Sequence, residues 1–175
     1  MIEVILVDSD DREIGTCEKM EAHQQGLLHR AFSIFIFDKQ GNMLLQQRAL
    51  QKYHSGGLWT NACCSHPQPG ENIQHAANRR LREELGFETE INKIFDFVYR
   101  AEFENGLIEH EYDHVFSGEY EGGILYNKDE VMDIGFKSPK QIRQELESDS
   151  ARYTPWFHLA FPKIQTWCES RYGTA

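Results

Sequence analysis

One stretch, A-F-S-I-F-I-F at positions 31–37, constrains the fold of this chain most strongly. It has the length of a strand and is apolar at every position except Ser33. A strand with one solvated face alternates apolar and polar residues, whereas a continuous apolar run is typical of a strand covered on both faces. The turn sequence D-K-Q-G-N follows, and residues 43–47 return as a second strand, so we predict a hairpin whose first strand is buried.

Other segments predict further strands and helices around this hairpin. Residues 90–103 and 107–118 predict two long strands around the turn E-N-G, because Phe95, Phe97 and Tyr99 keep a period of two. Further strands are predicted at 1–8, 14–16 and 131–136, and helices at 72–86, 139–147 and 161–171. Mixed strands and helices without a repeat or linker predict a mixed α/β (α+β) fold in one domain, 1–175.

Composition restricts the class of partner. A net charge of −10 repels polyanions, so we expect no binding to nucleic acid or to acidic membrane surfaces, although a local basic pocket can still bind a small anion. No apolar run approaches the roughly 18–20 residues of a membrane span, and the first residues lack the basic region of a signal peptide. We therefore expect a cytoplasmic protein whose four cysteines stay reduced.

The predicted helix at 72–86 carries paired charges. Its apolar stripe turns Glu84 towards the interior and Glu83 away from it, and Arg80 can pair with Glu84 one turn later. Glutamate near a bound phosphate holds magnesium, and arginine grips phosphate oxygens bidentately. The alternative interpretation is a solvated helix laced with ion pairs.

Histidines and carboxylates form a second candidate set, although they are scattered along the chain. On the strand at 107–118, a period of two places Glu109, Glu111 and Asp113 on one face, which repels itself unless a cation or protons neutralise it. Imidazoles and carboxylates are common ligands of divalent metals. The candidate ligands are His23, His29, His66, Glu109 and Glu111. The alternative is that these histidines are ordinary structural or surface residues.

Cys64 lies close to His66 in a predicted loop, rich in proline and glycine, at the N-terminal side of the helix. A helix N-terminus and a nearby imidazolium or metal lower the pKa of a thiol and favour the reactive thiolate, so Cys64 is a candidate reagent. The alternative is a small buried hydrophobic residue, which is the commonest role of a free cysteine.

Basic and aromatic residues suggest the chemistry of a substrate. Lys19, Arg48, Lys52 and Arg80 are basic side chains near the other candidates, which suits an anionic substrate. An aromatic face, such as the indole of Trp156, stabilises positive charge, although core packing is the usual role of an aromatic residue.

The helix region resembles the Nudix box, a glycine, five residues, a glutamate, seven residues and then R-E-U-x-E-E-x-G-U, in which U is bulky and apolar. The matching residues are Glu71, Arg79, Leu81, Glu83, Glu84, Gly86 and Phe87. Ser65 stands where the first glycine belongs, and Arg80 replaces the first glutamate of the R-E pair. The resemblance implies a Nudix-type fold, a mixed β-sheet sandwiched between helices.

The segments R-A-L-Q-K, L-W-T-N-A-C-C-S-H-P, Y-R-A, E-H-E and T-P-W closely resemble one family with this fold, the type I isopentenyl-diphosphate delta-isomerases. The resemblance extends from about residue 4 to 167. It implies an enzyme, a monomer or weak dimer, that interconverts isopentenyl and dimethylallyl diphosphate by moving protons. The alternatives are a Nudix diphosphate hydrolase and a catalytically silent metal-binding or nucleotide-binding module.

The resemblance also implies roles for residues. Cys64 is the implied catalytic thiol, Glu111 the catalytic carboxylate, Tyr99 its neighbour, and Trp156 the residue that faces the cationic intermediate. The implied ligands of one divalent metal, Mn²⁺, Mg²⁺ or Zn²⁺, are His23, His29, His66, Glu109 and Glu111. Glu84 is the implied ligand of a Mg²⁺ that bridges the diphosphate, which would be bound by Lys19, Arg48, Lys52 and Arg80.

Overall fold

The computed structural model describes residues 1–173 and has strands and helices in mixed order, as predicted. The strands are β1 Glu3–Val7, β2 Glu13–Glu18, β3 His29–Phe37, β4 Met43–Arg48, β5 Trp59–Asn61, β6 Cys63–Ser65, β7 Ile91–Glu102, β8 Ile108–Glu119 and β9 Val131–Lys137. The helices are α1 Lys19–Gln25, α2 Ile73–Leu85, α3 Pro139–Ser148 and α4 Pro155–Tyr172, with a short 3₁₀ turn at Ser150–Arg152. None of these helices is both long and apolar enough to cross a membrane.

Strand β3 is the central strand of a mixed sheet. It runs parallel to β8 from the pair His29 and Glu111 to the pair Phe37 and Glu119. Its other edge pairs antiparallel with β1 and with β6, where Ser33 lies opposite Cys64. The pairing therefore places residues from distant parts of the sequence side by side.

The core lies on both faces of β3, which confirms the prediction from its apolar run. Even-numbered side chains such as Phe32 and Ile34 pack on the side of α2, with Leu81 and Leu85. Odd-numbered side chains such as Phe35 pack on the other side, with residues of α3 and α4. The sheet is thus sandwiched between helices, as the alternation of side chains along a strand requires.

The predicted hairpin is confirmed in its strands and its turn, but its pairing is short. Strands β3 and β4 pair only at Phe37 and Met43, next to the turn, and β4 then pairs with β5 and β9. The physical reason is that a strand has two hydrogen-bonding edges. Those of β3 are taken by β8 on one side and by β1 and β6 on the other.

Helix α2 begins and ends close to the predicted positions. The Asn72 side chain accepts hydrogen bonds from the backbone amides of Gln74 and His75 at 3.0 and 3.2 Å, which caps the helix N-terminus. Gly86 ends the helix in the left-handed conformation, with φ 74°. Glu84 is buried, whereas the side chain of Glu83 is 42% exposed, as the helical periodicity predicts.

Two predictions about other segments are wrong. The segment around Cys64 contains strands β5 and β6 rather than loop alone, because three-residue strands are too short to show alternation and are defined by pairing with β4 and β3. Helix α4 begins at Pro155 rather than near residue 161, since proline is compatible with the first turn of a helix.

Truncating a side chain of the central strand should cost much of the stability. Phe35 is fully buried and stacks on Phe157 with ring centroids 6.5 Å apart. We expect Phe35→Ala to lower the free energy of unfolding by about 3–5 kcal/mol, because a cavity replaces the ring. Urea denaturation followed by circular dichroism measures this change. Leu159→Ala, at a side chain that is 45% exposed, is the control and should cost less than about 1 kcal/mol; equal losses would contradict the assigned core.

Candidate active site

Three histidines and two glutamates meet at one end of the central strands. The ligand atoms of four of these residues, those of His23, His29, His66 and Glu109, all lie within 4.8 Å of one another. His23 is on α1, His29 begins β3, His66 follows β6, and the glutamates are on β8. Since β3 pairs with both β6 and β8, the sheet brings these sequence-distant side chains together.

The hydrogen bonds of the imidazoles fix the direction of their lone pairs. His23 Nδ1 lies 2.6 Å from the Lys19 carbonyl oxygen, and His29 Nδ1 lies 2.8 Å from that of Leu27. A carbonyl oxygen only accepts, so Nδ1 carries the hydrogen and Nε2 of the neutral ring presents a lone pair. Within residues 1–173, neither the buried His23 Nε2 nor the buried Glu109 Oε2 has a hydrogen-bond partner. Such orphaned acceptors cost free energy that a bound cation would offset.

Glu111 completes this cluster. Its Oε2 lies 2.6 Å from His66 Nε2 and 3.3 Å from His29 Nε2, while the two imidazole nitrogens are 3.2 Å apart. The other carboxylate oxygen accepts a hydrogen bond from the hydroxyl of Tyr99. Imidazole nitrogens and carboxylate oxygens are ligands that divalent transition metals bind well. The donor set therefore fits a divalent metal ion, and all five predicted ligands lie together.

The protonation states also suit metal binding. Burial lowers the pKa of His66 to about 4, so its imidazole is neutral near pH 7. Burial opposes ionisation of Glu109, but the neighbouring imidazoles of His23 and His54 outweigh it and hold its pKa well below the usual range. Neutral imidazole and ionised carboxylate are the forms that bind a metal.

Cys64 is on β6, with its thiol in a polar environment. Its Sγ lies 3.1 Å from Asn61 Oδ1 and 3.4 Å from Ser33 Oγ. The prediction that a helix N-terminus lowers its pKa is wrong. Helix α2 begins only at Ile73, and burial, followed by the charge of Asp113, raises the pKa of the Cys64 thiol.

The predicted basic residues line one cavity. Lys19, Arg48, Lys52 and Arg80 share it with Glu84, Cys64 and His66. Arg80 Nη2 lies 2.7 Å from Glu84 Oε1 and also 2.7 Å from Glu130 Oε1. Several cations beside a buried carboxylate can bind an anion together with a bridging metal ion.

Tyr99 and Trp156 line a smaller cavity with Glu109 and Glu111. Cys64, Arg48 and His66 line this smaller cavity and the basic one, so the two spaces adjoin. The Arg48 guanidinium carbon lies 5.1 Å from the centroid of the Trp156 ring, so the indole already contacts one cation.

Two residues of the site were not identified from the sequence. Buried His54 places Nε2 2.7 Å from Glu109 Oε1 and stacks on Phe103 with ring centroids 4.2 Å apart. Glu130 contacts Arg80, as described above, and its Oε1 lies 3.4 Å from Lys52 Nζ. The glycine pair Gly56-Gly57 follows His54 closely and suits a loop whose backbone approaches a ligand, which was the one available signal for His54. No sequence signal pointed to Glu130.

Comparison with known proteins identifies the family. The NUDIX domain model matches residues 27–157. A Burkholderia multivorans protein named isopentenyl-diphosphate Delta-isomerase is 52% identical over 169 residues, which cover 94% of this chain and 96% of that protein. This chain belongs to the isopentenyl-diphosphate Delta-isomerase family. Isopentenyl-diphosphate Delta-isomerase 2 of Photorhabdus laumondii is 47% identical over 169 residues, with the same coverage of both chains.

Solved structures confirm the fold. The crystal structure of DR0079 from Deinococcus radiodurans has a TM-score of 0.74 and 16% identity, covering 90% of this chain and 96% of that one. The MutT protein from Methanosarcina mazei has a TM-score of 0.66 and 16% identity, covering 80% and 94%. At these identities the likeness concerns the fold alone.

Replacing His54 should weaken metal binding although His54 is not among the predicted ligands. The variant His54→Phe keeps a ring on Phe103 but removes the nitrogen that orients Glu109. We expect the affinity for Mn²⁺ to fall about 10- to 100-fold, as is typical when the partner of a metal ligand is lost. Titration followed by electron paramagnetic resonance measures it. His75→Phe, at an exposed histidine, is the control and should bind as wild type does; unchanged affinity in His54→Phe would contradict this role.

Proposed function

We propose that this chain interconverts isopentenyl diphosphate and dimethylallyl diphosphate, a step that supplies isoprenoid precursors. The observation that carries the proposal is one cavity lined by Cys64, Glu111, Tyr99 and Trp156, next to a cavity lined by basic residues. Membership of the isomerase family supports it, as do the names of the two relatives.

The reaction needs an acid and a base. A proton is added to C4 of the C3=C4 double bond, which leaves a tertiary cation at C3, and a proton is then removed from C2, so that C2=C3 forms. We assign proton donation to Glu111, which accepts a hydrogen bond from Tyr99, and proton removal to Cys64. In the reverse reaction, Glu111 and Cys64 exchange these roles. Both side chains line the smaller cavity, as this assignment requires.

The intermediate needs an aromatic face and a dry site. Trp156 is 4% exposed and lines the smaller cavity, where its indole would stabilise the cation. Water would trap that cation, so the site has to exclude it. We assign closure to the N-terminal segment around His23, which is fully buried on α1.

Two divalent ions complete the proposal. Mg²⁺ would be held by Glu84 and bridge the diphosphate, whose oxygens would be bound by Lys19, Arg48, Lys52 and Arg80. Mn²⁺, Mg²⁺ or Zn²⁺ would be held by His23, His29, His66, Glu109 and Glu111. A bound cation at that cluster supplies positive charge that lowers the proton affinity of its carboxylates.

The proposal also covers the domain organisation, the oligomeric state, the class of partner and the cellular compartment. We expect one domain over residues 1–175, of which the last two lie outside the described residues, and a monomer or weak dimer. The partner is a small isoprenoid diphosphate rather than nucleic acid or a membrane. All four cysteines are free thiols, which fits the reducing cytoplasm.

A NUDIX diphosphate hydrolase is the alternative. The NUDIX match favours it in general, but Arg80 replaces the first glutamate of the R-E pair and bonds to Glu84. Release of inorganic phosphate or nucleoside monophosphate from a diphosphate panel, with no isomerisation, would favour the hydrolase. Metal and ligand binding without turnover would favour the silent binding module.

Proton NMR of isopentenyl diphosphate with the protein and Mg²⁺ in deuterated water tests the proposed function. We expect new allylic signals and incorporation of deuterium in wild type. The variants Cys64→Ala and Glu111→Gln should lose about 10²- to 10⁴-fold in kcat, because each lacks one proton-transfer group. The control Cys17→Ala removes a thiol from β2 and should keep wild-type activity. Near-normal turnover by either site variant would contradict the assigned roles.

Removing a basic side chain should weaken substrate binding. Lys52 lines the basic cavity, whereas Lys128 is exposed and is absent from the described lining of that cavity. We expect Lys52→Ala to raise KM about tenfold, since a charge-assisted contact to the diphosphate is lost. Lys128→Ala is the matched control and should leave KM unchanged. Steady-state kinetics measures both, and equal KM values in the two variants would exclude Lys52 from the diphosphate site.

A further inference from the structure

Asp113 is the third carboxyl group on the acidic face of β8. It belongs neither to the five predicted metal ligands nor to the lining of the basic cavity. It is 2% exposed, and its Oδ2 accepts a hydrogen bond of 2.7 Å from Ser33 Oγ. Its other oxygen, Oδ1, has no hydrogen-bond partner within residues 1–173. A buried carboxyl group with an unpartnered oxygen costs free energy, which points to a role beyond packing.

The hydroxyl of Ser33 links this carboxylate to Cys64. The two residues are cross-strand partners on β3 and β6, and Ser33 Oγ lies 3.4 Å from Cys64 Sγ. A hydroxyl has one hydrogen, and Ser33 donates it to Asp113 in a short bond. The lone pairs of the Ser33 oxygen, rather than its hydrogen, therefore face the thiol.

Asn61 holds the thiol from another side. Its amide nitrogen donates to the carbonyl oxygens of Ile34 and Cys63 at 2.9 and 3.1 Å. Rotating the amide would break both bonds, so Oδ1 is fixed towards Cys64 Sγ at 3.1 Å. The thiol hydrogen consequently meets two acceptors in the wall of the site, Asn61 Oδ1 and Ser33 Oγ.

We infer that Ser33, Asp113 and Asn61 are positioning residues that fix the Cys64 thiol for proton transfer, with Asp113 acting through the hydroxyl of Ser33. The inference rests on the proposed role of Cys64. It gives a purpose to a buried carboxylate that binds neither the diphosphate nor the metal. Loss of the arrangement lets the thiol rotate, so the proton-transfer step slows while substrate and metal affinities stay the same.

A matched pair of variants isolates the hydroxyl. Ser33→Thr and Ser33→Val have nearly the same shape, and both suit a strand, but only threonine keeps the hydroxyl. We expect Ser33→Val to lose about ten- to hundredfold in kcat for isomerisation with an unchanged KM, and Ser33→Thr to stay within about fourfold of wild type. Asp113→Asn, which keeps the shape but weakens the acceptor, should lose about three- to tenfold.

Binding and folding measurements exclude a merely structural effect. Thermal unfolding, Mn²⁺ titration and inorganic pyrophosphate binding should be alike in Ser33→Val and Ser33→Thr. If Ser33→Val does not fold, the inference is tested by comparing kcat for isomerisation in Asp113→Asn with that of wild type. Wild-type kcat in Ser33→Val and Asp113→Asn, or losses matched by equal losses of pyrophosphate or Mn²⁺ affinity, would overturn the inference. A wild-type protein that does not isomerise would instead overturn the proposed function.

Discussion

The parallel pairing of β3 with β8 is the interaction on which the rest of the structure depends. It joins the central strand, which is buried on both faces, to the strand that carries the acidic face. At one end of the pairing, His29 lies beside Glu111, and further along, Phe35 and Val115 contribute to the same core cluster. The same pairing therefore builds the histidine–glutamate cluster and the hydrophobic core, and a shift in its register would disrupt both.

This arrangement sets stability against function. The site buries Glu109, Glu111, Asp113 and imidazoles in a region where isolated charges are costly. Leu81, Leu85 and the aromatic side chains on the two faces of β3 stabilise the same sheet by hydrophobic burial. The apolar core thus offsets the cost of a polar, partly unsatisfied site, which is a pattern expected where chemistry takes place.

Local patterns predicted most of the elements, and pairing explains what they missed. The apolar run, the bounds of α2 and the alternation in β7 and β8 all depend on neighbours in sequence, and these predictions are confirmed. Other features depend on residues far along the chain. They are the strands that pair with β3, the short strand β6 that contains Cys64, and the contact of His54 with Glu109. Periodicity carries no information on such contacts. The grouping of the candidate site residues was predicted from the family resemblance, because members of a family share long-range pairing as well as local patterns.

Helix α1 has a consequence for how the two binding events relate. This seven-residue helix carries Lys19, which lines the basic cavity, and His23, which is one of the predicted metal ligands. The Lys19 carbonyl oxygen accepts a hydrogen bond from His23 Nδ1. A displacement of α1 as a unit would move both residues. If a metal and an anion bind at these two places, their binding would be coupled through α1, and such a coupling acts equally in both directions.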